Sequence, residues 1–310
     1  MEDLLSKLLP ILLLLVIGFV SKLIKLFSDS FIEELKGLII KIALPAVLFD
    51  AFSTMRLQVS YILLFSLIFI YCILLYGIGS GLHKFFPKVF SRYYTKGFMT
   101  GFEFGMIGVG LFGAIWGMDK LPIIMLVAFG HELFIWFFYV LFISKSTEKS
   151  YSFSVGFKQF IKMPTIIAIV LGLVVNLSGI HPLMNSNIFG QSLFTVVGFL
   201  KPLTSPLILI IIGYTMAFQR TNLREAAVYI LSRIILVMSL GTLVVVVIIQ
   251  VIPDLDTLFV QAFYAFILLP APYILPLYIK NREETTFFTQ LLVYTTVITF
   301  IGYGVLLYMS

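Results

Sequence analysis

The sequence predicts an all-α membrane protein in which ten transmembrane helices form a 5+5 inverted repeat, with helices four and nine interrupted. Three observations carry that expectation: a composition too apolar for a water-soluble globule, ten apolar segments long enough to span a bilayer, and a match between the two halves of the chain that places helix breakers in both. Of 310 residues, 60% are hydrophobic and 12% are charged. With a mean hydropathy of +1.09, this leaves too little polar surface to coat a soluble fold. The single cysteine, Cys72, lies in an apolar run, so no intramolecular disulfide forms and no thiol pair is offered to a metal. The net charge of +6 is gathered in loops, where it reads as a topology signal and not as a nucleic-acid footprint. The opening MEDLLSK is acidic where a signal peptide is basic, and no small-residue cleavage site follows, so the first apolar run is expected to be a retained span.

A hydrocarbon core of ~30 Å takes about 20 helical residues. Cutting the chain at charged and turn-rich stretches gives spans at 4–26, 31–54, 59–82, 94–117, 121–144, 161–179, 188–218, 224–251, 256–279 and 286–308. One set of connections carries Lys22, Lys25 and Lys36; Lys84, Lys88, Arg92 and Lys96; Lys145, Lys149, Lys158 and Lys162; Arg220 and Arg224; and Lys280 and Arg282. The opposite side carries only Lys7, Arg56 and Lys120. The positive-inside rule then puts both termini outside the cytoplasm, as an even number of spans requires. Lys41, Lys201 and Arg233 fall within spans or at their edges.

LPAVLFDAFSTM, residues 44–55, aligns with SPLILIIIGYTM, residues 205–216, at an offset of 161 that matches Pro45 to Pro206 and Thr54-Met55 to Thr215-Met216. The same offset carries GFEFGMIGVGLFG, residues 101–113, onto AFYAFILLPAPYI, residues 262–274. The halves are therefore expected at 1–150 and 151–310. Five spans each is odd, so they insert with opposite orientation, and such repeats place a substrate site near the midplane, where discontinuous helices meet.

Pro270, Pro272 and Pro276 crowd the ninth span, and each interior proline removes a backbone hydrogen bond at ~3 kcal/mol or more. The unwound backbone that results must be buried in protein or line a cavity. The fourth span carries Gly101, Gly105, Gly108, Gly110, Gly113 and Gly117. The 101/105 and 113/117 pairs also fit the GxxxG spacing of close helix packing. Glu103 lies among these glycines, and an acid within a span marks a functional site by default; its structural alternative is a salt bridge to Lys96 or Arg92 near the end of the span.

His131-Glu132 opens like the HExxH zinc-protease helix, but position 135 is Ile, so the second ligand is missing. Inside the fifth span the pair fits either structural hydrogen bonding or a proton relay. Asp50 with Lys201 and Lys41 fits either an ion pair or a cationic attraction for an anionic substrate. GxGxxG at Gly108, Gly110 and Gly113 has no preceding strand and is no dinucleotide site. Neither spacing nor composition points to an enzyme, a cofactor or a metal.

KIALPAVLFDAF in the second span, LKPLTSPLILIIIGYTMAF in the seventh and LLPAPYILPLYI in the ninth resemble the auxin efflux carrier family, whose bacterial members include permeases for malate and malonate. The resemblance covers essentially the whole chain, and the order and spacing of the motifs carry it. It implies a fold shared with bile-acid sodium symporters, in which spans one, two, six and seven form a scaffold, and spans three to five and eight to ten a transport domain that moves like an elevator. It also implies that a substrate carboxylate sits at the crossover of Glu103, Gly105, Met106, Gly108 and Gly110 with Pro270, Ala271, Pro272 and Tyr273, held by backbone N–H groups and half-helix N-termini. Glu103 stands where relatives often carry asparagine, and Gly110 where they carry proline. The expected function is secondary transport of small organic anions across the plasma membrane, with Glu103 as proton carrier and Asp50, His131 and Glu132 as further coupling candidates. A sodium-coupled symporter and a non-transporting ligand sensor are the alternatives. The expected partners are the bilayer, the anion, a proton or sodium ion, and a second copy of the chain as a homodimer, with no nucleic acid.

Overall fold

The computed structural model describes residues 2–55, 60–144, 153–216, 222–252 and 257–309, and every regular element among them is helical. In chain order the helices are α1 (Glu2–Leu23), α2 (Asp29–Leu38), α3 (Leu44–Thr54), α4 (Ser60–Phe85), α5 (Thr95–Phe98), α6 (Val109–Trp116), α7 (Leu121–Phe134), α8 (Val140–Ser144), α9 (Phe153–Ile161) and α10 (Pro164–Leu177). They continue with α11 (His181–Ser186), α12 (Ile188–Thr215), α13 (Leu223–Val251), α14 (Thr257–Ile267) and α15 (Arg282–Met309). Five helical stretches, 61–85, 118–143, 188–215, 223–251 and 282–309, are long and apolar enough to cross a membrane. Large apolar side chains also face outward along them, as with Ile235 and Leu243, more than 60% exposed on α13, which suits hydrocarbon and not water.

Of the remaining expected spans, the first is the single helix α1, and the others are shorter or divided. The second is helical from Asp29 to Thr54 but widens into a π turn over Ile39–Ala43. Pro45 follows that turn at the start of α3. The sixth is only the 14 residues of α10, about 21 Å at the helical rise, because Met163 is extended and Gly179 turns left-handed at φ 66°. The fourth is split into α5 and a π turn over Phe104–Gly108 that leads into α6. The ninth stops at Ile267 and resumes only as a 3-10 turn over Leu275–Tyr278. Of the cations used to orient the chain, Arg56, Lys145, Lys149 and Arg220 lie outside the described residues.

The helices gather into two compact units, and each unit draws on both halves of the sequence. One comprises Met1–Gln58, Gly105–Pro122 and Lys158–Met216. Its helices touch at backbone range. A Cβ on Gly18 of α1 would fall on the carbonyl of Ile210, and one on Gly213 of α12 on the carbonyl of Leu15, so two glycines let α1 and α12 meet main chain to main chain. Asn176 on α10 donates from Nδ2 to the carbonyls of Phe52 at 3.0 Å and Met55 at 2.7 Å, satisfying acceptors that the end of α3 leaves open. Gly110 of α6 lies against Ile208 of α12, where a Cβ would approach Cγ2 to 2.5 Å.

The second unit comprises Val59–Phe104, Ile123–Phe157 and Ala217–Ser310. Its core is aromatic: Tyr71, Phe98, Phe102, Phe266 and Phe288 are fully or almost fully buried, and the Phe102 and Phe266 rings pack at 4.9 Å. Tyr71 of α4 donates to the carbonyl of Val237 on α13 at 2.9 Å. At one end of the unit, Asn222 caps α13 by accepting from the Glu225 N–H at 3.3 Å. Arg92 then grips Glu225 with two nitrogens, at 2.7 and 3.1 Å, and stacks 3.9 Å from the Phe287 ring on α15, joining the start of α13 to α15.

The α1–α12 contact yields a direct test. Gly213→Val is expected to push the two backbones apart at an overpacking cost of ~1–3 kcal/mol and to lower the thermal midpoint in detergent. Gly198→Ala, on the same helix but facing open space, serves as the control; equal midpoints for the two variants would contradict the close approach.

Candidate functional site

The second unit brings the interrupted ends of the fourth and ninth spans together, and the site follows from asking where their released backbone groups go. α5 ends at Phe98, and the chain turns through Gly101 at φ 73°, a conformation costly for any residue with a Cβ. A Cβ there would also strike the ring of Pro272, 2.7 Å from Cγ. Glycine is thus required at 101 by both its dihedral and its neighbour. On the facing segment Pro270 and Pro272 have no N–H to give, so α14 cannot continue through them.

The freed carbonyls find donors. Arg233, projecting from α13 and 3% exposed, donates from Nη1 to the Phe98 carbonyl at 2.5 Å and from Nη2 to the carbonyls of Gly101 at 2.8 Å and Leu269 at 3.3 Å. One guanidinium therefore serves acceptors from both breaks, with its carbon 5.2 Å from the centre of the Phe102 ring. Thr299 of α15 donates to the Leu268 carbonyl at 2.6 Å.

N–H groups at the breaks find acceptors too. Phe102 donates to Nε2 of His131 at 2.9 Å. A ring nitrogen that accepts carries no proton, so in the neutral imidazole the proton sits on Nδ1, 3.4 Å from Oε1 of Glu132. Glu132 in turn accepts from Trp136 Nε1 at 3.1 Å. Glu103 ties the two breaks together twice: its N–H donates to the Pro270 carbonyl at 2.9 Å, and its Oε2 accepts from the Tyr273 N–H at 2.8 Å. The Tyr273 hydroxyl is 2.7 Å from Thr296 Oγ1.

Of the residues singled out in the sequence, Glu103, Pro270, Pro272 and Tyr273 come together here, with Ala271 fully buried between the prolines. His131 joins them as an acceptor for the break backbone, which is the hydrogen-bonding alternative for that pair. Gly105 is exposed, Met106 half-buried and Gly108 buried; these three and Gly110 fall in the other unit. The glycines of the fourth span thus divide their work, with Gly101 in the break and Gly110 in helix packing. Asp50 is also in that other unit, where it pairs with Lys201; Lys201 Nζ also lies 3.2 Å from Asp119 Oδ1, and Lys41 is exposed. The ion-pair alternative for Asp50 and Lys201 is therefore the one observed.

Glu103 meets Tyr273, with which the sequence grouped it. The offset of 161 does not superpose the two breaks, however, since it carries Gly101 and Glu103 onto Ala262 and Tyr264, which lie inside α14. The break in the ninth span occurs where prolines withhold N–H groups, further along its segment than the glycine turn is along its own. Arg233 is the site residue that the motif reading passed over. Its signal was present, since an arginine inside an apolar span must find partners, but which carbonyls it serves depends on two breaks distant in sequence.

No family model matches the chain, and a search of curated proteins likewise finds no match.

Replacing Arg233 tests this construction of the site. Arg233→Met removes the donors to three buried carbonyls, each left unpaired at ~1–3 kcal/mol, and is expected to lower thermal stability sharply. Arg233→Lys should recover only part of the loss, because an ammonium lacks the planar fork. A Met variant that unfolds at the wild-type temperature would remove Arg233 from this role.

Proposed function

We propose that this chain is a secondary transporter of the auxin efflux carrier type, not an enzyme, that moves small organic anions across the plasma membrane by an elevator-like displacement. In this reading ten spans form a 5+5 inverted repeat with both termini outside the cytoplasm. The observation that carries it is the pair of breaks joined through Glu103, Pro270 and Tyr273. Non-helical backbone at membrane depth is costly and is kept where it lines a path or a site, and discontinuous helices meeting from two halves mark the substrate site of inverted-repeat transporters. A second support is the asymmetry of Lys and Arg between the two sets of loops.

Glu103 is the proposed coupling group, since its carboxyl takes up a proton on one side and releases it on the other as the site moves. Proton coupling is preferred to sodium coupling for a structural reason. The carbonyls of Phe98, Gly101 and Leu269, which would be oxygen ligands for sodium, already accept from Arg233.

Reconstituted vesicles test the proposal. Uptake of labelled malonate or malate should be driven by an inward proton gradient and unaffected by replacing sodium with potassium. Glu103→Gln should lose most of the gradient-driven component. A variant that transports normally with unchanged pH dependence would remove Glu103 as the carrier, and flux that follows sodium would favour the symporter reading.

A further inference from the structure

We infer that the main-chain N–H of Tyr273 is one anion seat used in turn by the Glu103 carboxylate and by the carboxylate of the transported anion, so that an anion is admitted only as Glu103 takes up a proton. This deepens the transport reading above and rests on it. The seat is filled in the structure by a side chain of the protein itself, since Glu103 Oε2 accepts from this N–H at 2.8 Å. A charge-assisted bond of this kind is about twice as strong as a neutral one, so the ionised form of Glu103 holds the seat against a competitor. Other N–H groups of the two breaks are committed to acceptors that do not leave: Phe102 to His131, and Glu103, Leu269 and Leu275 to backbone carbonyls. Pro270 and Pro272 have none to offer. The Tyr273 N–H differs because its acceptor is a carboxylate, whose place another carboxylate can take.

Charge points the same way. An arriving carboxylate would bring a second negative charge beside the Glu103 carboxylate, and like charges close together favour protonation of one partner. Protonated Glu103 becomes a weak acceptor and releases the Tyr273 N–H to the substrate. The step moves one proton from solution to the Glu103 carboxylate and breaks no covalent bond.

Of the titratable groups near this point, Tyr139, from the π turn that follows α7, and Tyr273 lie within electrostatic reach of Glu103. Arg233 from α13 binds the adjoining backbone. α7 contributes His131, at the Phe102 N–H, and Glu132 beside it, and α4 contributes Tyr71 and Cys72, both within reach of Arg233. α15 contributes the neutral Thr296. Glu34, exposed on α2, is the control carboxylate.

The test is calorimetry on the purified full chain with malonate, malate and phenylacetate, in buffers of different ionisation heat, with infrared difference spectra in parallel. The wild type should take up one proton per anion, its affinity should rise about tenfold for each pH unit of acidification on the alkaline side of the Glu103 titration, and a protonated-carboxyl band should appear on adding anion at constant pH. Glu103→Gln should lose the proton uptake, the pH slope and the band, whereas Glu34→Gln, at an exposed carboxylate of α2, should keep all three. Wild-type binding without proton uptake would overturn the shared seat while leaving anion transport standing. Uptake that persists in Glu103→Gln would overturn it equally. No binding of any of the three anions from acid to neutral pH would overturn the transport reading and this inference with it. The wild-type proton count needs no variant, so a poorly folding substitution leaves the test intact.

Discussion

Arg233 is the constraint around which the second unit is built. A chain that interrupts two helices within an apolar unit releases carbonyls that water cannot reach, and each unpaired group is costly. The guanidinium answers several of them at once, because its donors are fixed in a plane and fan outward. Its contacts with Phe98, Gly101 and Leu269 bind segments from opposite halves of the sequence to one side chain on α13. The positions of Glu103 and Tyr273 are consequences of that grip as much as of their own hydrogen bonds.

The two breaks reach similar ends by different chemistry. Gly101 permits a left-handed turn that other residues resist, whereas Pro270 and Pro272 end a helix by withholding donors. The two routes meet physically, since the absent side chain of Gly101 is what makes room for the Pro272 ring. In the other unit glycine acts differently, by letting α1 and α12 approach at Gly18 and Gly213 with no turn involved. One residue type thus marks a hinge in one place and a tight seam in another, and composition alone does not separate them.

The two units hold Lys201 and Arg233 differently. Lys201 is held by the carboxylates of Asp50 and Asp119, whereas Arg233 is held by backbone carbonyls. Exposure differs as well. Asp119 is 90% exposed, so that pair is partly a surface contact, while Arg233 is almost wholly enclosed. A cation enclosed in this way must find its acceptors within the protein.

Much of the architecture was legible in the residues. The five long apolar helices were expected from hydropathy, and the interruptions at GFEFGMIGVGLFG and LLPAPYILP from their breakers, because helix formation and its failure are decided over a few neighbouring residues. The association of Glu103 with the proline segment, Tyr273 included, was likewise expected, but a uniform offset carried Gly101 and Glu103 into α14, short of the break in the ninth span. Sequence periodicity also did not foresee the π turn before α3 or the short α10. What only the tertiary structure decided is how the groups released by the breaks are satisfied. That Arg233 serves both breaks, that His131 accepts from Phe102, and that Glu103 occupies the Tyr273 N–H depend on approaches between residues 29 to 170 positions apart. Local propensity fixes where a helix ends; which atoms then meet its open ends is set by the packing of distant segments.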